Sequence, residues 1–211
     1  MHYLIQLITL FFFLVSCSNK DVQQGYNLEQ ADEISNCILN DTVFEYRNIE
    51  GFVRYFPIDS VFNIRIGLGD WNKELNYRFD CSAPNAIVPR YEWNNNEVVA
   101  LIRGCGSYCS KHLFFLNKGN SSIERENVLA KDIDRSLICY TNTTVDGVFL
   151  IVENILTENF LSVEIKELAP CDFVEECIDG IDFFSNEISV EYQSANNGVM
   201  QNIIIDLSDL I

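Results

Sequence analysis

The chain has 211 residues and a formal net charge of −17, from 31 acidic against 14 basic side chains. Such a surface repels phosphate backbones, which are bound through cationic side chains that displace counterions, so nucleic acid is excluded as a partner. Hydrophobic residues make up 48% of the chain and aromatics 12%, a composition that builds a folded core and not a disordered tail.

In chain order, the first element is an uncharged apolar run from Leu4 to Leu14. It is followed by Leu14-Val15-Ser16-Cys17 and then by polar Ser18-Asn19-Lys20-Asp21. The run falls short of the roughly 20 apolar residues needed to cross about 30 Å of hydrocarbon. The tetrapeptide resembles the lipobox of bacterial lipoprotein signals. That resemblance implies cleavage before Cys17, a diacylglyceryl group on its thiol, palmitate-type acylation and a place in the cell envelope. Ser18 stands where an aspartate resembles an inner-membrane retention cue, so the outer membrane is the expected address. Residues 1–16 are then a signal peptide and 17–36 a polar tether, with a short helix near Leu28 to Ile34. Residues 37–211 form a single all-β domain similar to all-β envelope lipoproteins. The membrane is a partner through the lipid alone.

Beyond the tether, apolar and polar residues alternate with the period of a half-buried strand. Phe62, Ile64, Ile66 and Leu68 show it, as do Leu75, Tyr77 and Phe79, then Leu161, Val163 and Ile165, then Ile188, Val190 and Tyr192. Denser apolar stretches, Val98 to Ile102, Leu113 to Leu116, Val148 to Val152 and Ile203 to Ile205, read as central strands. Clusters such as Gly67-Leu68-Gly69-Asp70, Trp93-Asn94-Asn95-Asn96, Asn117-Lys118-Gly119-Asn120, Thr141-Asn142-Thr143-Thr144 and Ala195-Asn196-Asn197-Gly198 read as turns. No long stretch has helical periodicity. The expected fold is all-β, an antiparallel meander of small sheets like a few-bladed propeller, with a two-sheet sandwich as the alternative. Ile181 to Phe184, Glu187 to Gln193 and Met200 to Leu207 follow at hairpin spacing and favour the meander.

With Cys17 assigned to lipid, seven of the eight cysteines remain, and outside the inner membrane they are expected to oxidise. The sequence-local pairs are Cys105 with Cys109 and Cys171 with Cys177, leaving Cys37 and Cys81 for a long-range bridge; a Cys81 to Cys105 bridge is the rival. Cys139, inside Leu137-Ile138-Cys139-Tyr140, is the expected free thiol, packed as a small hydrophobe.

Once His2 leaves with the signal, His112 is the only histidine. Two-histidine metal sites are therefore excluded, and no metal or other cofactor is expected. The segment Gly104 to Cys109, with His112 close behind, is the densest chemical cluster, and it reads first as a disulfide closing a turn. Glu175, Glu176, Asp179 and Asp182 crowd behind Cys171, but a general acid and base pair needs two carboxyls facing across a cleft, which spacing alone does not show. Nucleophile-elbow, phosphate-loop and dinucleotide motifs are all missing, so no catalytic residue is assigned. Trp71 and Trp93, flanked by amides and acids, are the candidate ligand-binding residues, with a protein or a glycan as ligand. The expected role is a lipid-anchored binding or interaction module. The alternatives are a carbohydrate-active hydrolase with paired carboxylates and an inhibitor of a cationic protein such as a lysozyme.

Overall fold

Among the described residues four antiparallel sheets follow one another along the chain, each built from strands consecutive in sequence. The computed structural model describes residues 41–58, 61–77, 88–106, 109–118, 122–171 and 173–211. The lipobox with Cys17, the segment Leu28 to Ile34, and Cys37 and Cys81 lie outside the described residues.

Sheet one comprises β1 (Thr42–Tyr46), β2 (Ile49–Ile58), β3 (Val61–Leu68) and β4 (Trp71–Tyr77). Sheet two comprises β5 (Arg90–Asn94), β6 (Val98–Gly106), β7 (Cys109–Leu116) and β8 (Ser122–Glu126). Sheet three holds β9 (Val128–Asp132), β10 (Leu137–Thr144), β11 (Gly147–Asn154) and β12 (Asn159–Glu164), and sheet four holds β13 (Ile178–Phe183), β14 (Glu187–Gln193) and β15 (Met200–Asp206). None closes into a barrel. The described residues are thus an all-β antiparallel meander of four small sheets, in place of a two-sheet sandwich. The only helical element among the described residues is a 3-10 turn, Val174–Cys177.

The period-two pattern explains the stacking. In β3, Ile64, Ile66 and Leu68 are fully or nearly fully buried and join Val99, Leu101, Leu113 and Phe115 of sheet two in one core. The other face of sheet two sends Val98, Ala100, Phe114 and Leu116 against Ile138 of sheet three. Sheet three then turns Leu137, Cys139, Leu150 and Val152 to Ile188, Val190 and Ile205 of sheet four. Adjacent residues on one strand therefore serve two different cores.

One expected turn is a strand. Thr141 to Thr144 completes β10, pairing with Leu150 to Gly147, and the chain reverses at Val145–Asp146. Threonine is β-branched and pairs well on a pleated surface, so polarity alone misled the reading. Glycine answers a local demand at Gly51 and Gly67. Phe44 lies across Gly51 and Phe52 across Gly67, each opposite its partner in the ladder, and a Cβ at either glycine would strike the ring. Phe44 also stacks on Tyr91 at 4.5 Å between centroids, tying sheet one to sheet two, a contact worth about 0.5–1.5 kcal/mol beyond its area.

Candidate functional site

Two places gather polar side chains from elements far apart in sequence. The first lies between sheets two and three. Asn127 alone connects β8 to β9, at φ 50°, a left-handed conformation that asparagine tolerates. Its N–H donates to the Ser110 carbonyl (2.9 Å), and its Oδ1 accepts from the Ser110 N–H (3.0 Å). This clamp sets β7 against the start of sheet three. His112, 3% exposed, then faces Glu92 across the sheet, with Nδ1 2.8 Å from Oε2, while Nε2 lies 3.3 Å from the Ser110 hydroxyl. Lys131 of β9 takes the other Glu92 oxygen. Burial works to raise the Glu92 carboxyl, but the hydrogen bonds from His112 and Lys131 outweigh it and hold Glu92 below its ordinary value. An ionised Glu92 accepts from Nδ1–H of His112, which turns Nε2 toward the Ser110 hydroxyl.

That order, serine to histidine to carboxylate, is the order that activates a nucleophile. Its surroundings differ from a hydrolytic centre. The Ser110 N–H, the natural donor for a developing oxyanion, is spent on Asn127, and the His112 ring lies parallel to Phe114 in the core. Beside it, Arg125 of β8 holds Glu153 of β11 through both carboxylate oxygens, at 2.7 and 2.6 Å, and the Tyr140 hydroxyl donates to the same group at 3.0 Å. Glu153 is 1% exposed. The whole layer reads as a polar seam fastening sheet two to sheet three.

The second place is an open cleft of about 610 Å³, lined by Tyr46, by Ala130 to Asp134 and by Ile181 to Phe183. The β1–β2 hairpin reaches it through a two-residue turn. Arg47 and Asn48 both have positive φ, 49° and 66°, the backbone of the tight hairpin turn that matches strand twist. The turn presents the Tyr46 hydroxyl and the Arg47 guanidinium to Asp134, 2.8 Å away for Arg47. Arg135 folds back on Asp132 at 2.7 Å and donates to the carbonyls of Phe184 and Ser185. Tyr46, β9 and β13 thus form three walls, with Asp182 and Phe183 on the last.

The sequence candidates fall unevenly. Trp93 is 4% exposed and packs 5.9 Å from Phe114 in the core between sheets two and three; the structure corrects its assignment as a ligand-binding residue, because its ring is spent on packing. Trp71 is half-buried beside the core of sheets one and two, and its indole N–H is buried without an acceptor among the described residues. The two tryptophans therefore serve separate cores. Cys105 and Cys109 pair across the end of the β6–β7 hairpin with Cα atoms 5.2 Å apart, and Cys171 and Cys177 pair across the 3-10 turn at 6.1 Å. The Cys81 to Cys105 alternative is overturned, since Cys105 is taken. Cys139 is free and buried, and burial pushes its thiol up to about 12. Glu175, from the acid run, accepts from Asn127 (3.0 Å) and Thr141 (3.3 Å), latching the second disulfide loop to sheet three. Among the described residues no group of three or more His, Cys, Asp and Glu is placed to hold a metal ion.

Sequence reasoning missed Tyr46, Arg47 and Asp134, and also Glu92, Lys131, Arg125 and Glu153. Arg47-Asn48 as a hairpin turn was the one local signal available. The pairings of Arg125 with Glu153, Lys131 with Glu92, and Tyr46 and Arg47 with Asp134 span 28 to 88 positions and exist only once the sheets stack. No family model, curated protein or solved structure matches the chain.

Proposed function

We propose that the chain is a lipid-anchored protein of the cell envelope, held at the outer membrane through Cys17, and that its β body is an interaction module for a basic partner protein. The observation that carries the reading is the cleft. Three aspartates, Asp132, Asp134 and Asp182, line it together with Tyr46 and Phe183. The Arg47–Asp134 pair is well exposed, with side chains 62% and 65% accessible, and an exposed pair contributes only about 0–1 kcal/mol. An incoming lysine or arginine can take Asp134 from Arg47 at little cost while its apolar stem lies against the Tyr46 and Phe183 rings. The net charge of −17 draws such a partner in from a distance.

The test is titration of the full chain with lysozyme as the basic probe protein, at low and at raised salt. The expected result is binding that weakens steeply with salt and drops about tenfold in Asp134→Lys. Binding that is indifferent to Asp134→Lys would exclude the cleft as the contact. Metabolic palmitate labelling that persists in Cys17→Ala would exclude the anchor.

A further inference from the structure

Among the described residues, sheets one, two and three each have four strands and sheet four has three. Among the described residues β15 is hydrogen-bonded on one side only, to β14. Alternate N–H and C=O groups of a seven-residue strand therefore face outward. Native edges are guarded by lysine, proline or a bulge. The sequence Met200-Gln201-Asn202-Ile203-Ile204-Ile205-Asp206 has no lysine or proline, and its pairing with β14 runs without a register shift.

The two faces of this edge differ. Ile203 and Ile205 point into the core shared with sheet three. On the other side of that core, Leu161 and Val163 of β12 are only partly buried. β12 is the fourth strand of sheet three, and among the described residues sheet four has no fourth strand to face it. The outward face holds Ile204, 63% exposed, and Met200, 44% exposed, with Asp206 in the same strand and Glu187 and Glu191 in β14. No lysine or arginine forms an ion pair with these three carboxylates among the described residues.

We propose that β15 is a docking edge for an extended segment of a partner protein, which adds to sheet four as its fourth strand. Such a segment alternates. Every second residue is apolar and covers Leu161 and Val163, and the residues between carry lysine or arginine that meet Asp206, Glu187 and Glu191. Main-chain hydrogen bonds supply affinity and the alternation supplies register. A second copy of this chain is the poorer occupant, because pairing β15 with β15 brings two acidic faces together and offers no cation. The edge is independent of the cleft, which lies along β13 on the opposite side of the same sheet.

The experiment uses the full chain and two peptides of about ten residues, one alternating valine and lysine and one with the same residues in two blocks. Affinity is read by calorimetry and edge pairing by hydrogen exchange. The alternating peptide is expected to bind about tenfold tighter than the block peptide, to slow exchange of the β15 amides, and to lose about tenfold in Ile204→Lys but not in Asp134→Lys. Three outcomes would overturn the proposal. One is equal binding of both peptides with no change at β15. The second is that the outward-facing β15 amides, those not bonded to β14, are already slow in the protein alone. The third is a concentration-dependent dimer that Ile204→Lys dissolves.

Discussion

The two faces of sheet three are built from alternate residues of the same strands, yet they meet their neighbours by opposite means. Toward sheet four, β10 and β11 present Leu137, Cys139, Leu150 and Val152 to an apolar core, with polar contacts at its margin, where Arg135 donates to the Phe184 and Ser185 carbonyls and Asn154 to the Leu210 carbonyl. Toward sheet two they present Ile138, Tyr140, Ile151 and Glu153, and the contact carries Arg125 on Glu153 beside Glu92 on His112 and Lys131. An apolar interface gains free energy from any close fit and tolerates sliding. A buried charge is stable only beside its counter-charge, so the seam between sheets two and three fixes one register, at the cost of desolvating both partners.

Breaking one partner of the seam should produce the largest loss. Arg125→Met leaves Glu153 buried and unpaired except for the Tyr140 hydroxyl, and is expected to cost about 3–5 kcal/mol by denaturant unfolding. Replacing both, Arg125→Met with Glu153→Leu, should restore most of that stability, since two well-packed apolar side chains need no counter-charge. A double variant as weak as the single one would mean that packing volume, not charge, holds this contact. On the other face, Leu150→Ala opens a cavity and is expected to cost about 2–5 kcal/mol, with no double-variant rescue and little response to salt.

This contrast marks what was legible in the sequence. Alternation in Phe62 to Leu68 and Ile188 to Tyr192 announces strands, and consecutive hairpins with no helical periodicity announce a meander, because both are local properties. The buried face of a strand is local too, which is why Cys139 reads correctly as a buried thiol. The seam is different. Glu153 sits in Val148-Phe149-Leu150-Ile151-Val152-Glu153, where it looks like the polar end of an apolar strand, and nothing nearby announces Arg125, 28 residues away. Trp93 misled for the converse reason, since Asn94, Asn95 and Asn96 suggest a wet turn. Asn95 is in fact buried, with its amide donating to the Ile133 carbonyl and the Ser136 hydroxyl of the next sheet.

The last pair of variants distinguishes the two faces by pH, with little effect near neutrality for Cys139. Glu92 is held below its ordinary value by His112 and Lys131 against the opposing effect of burial. A carboxyl depressed in the folded state contributes stability that is complete above its unfolded value of about 4.3, and loses it as pH falls through the folded value. The seam should therefore weaken below about pH 4.3, and Glu92→Gln should flatten that acid limb while lowering stability at neutral pH. Cys139, on the apolar face, behaves in the opposite sense. Its thiol is raised to about 12 from 9.0, so the neutral form is kept on folding, and stability is complete below pH 9 and falls as pH rises from there toward 12. Cys139→Ala should flatten the alkaline limb and leave the acid limb as it was. Unfolding free energies measured across the pH range for the two variants test this directly. If both variants change the same limb, the two faces are not separately titrated and the contrast between them fails.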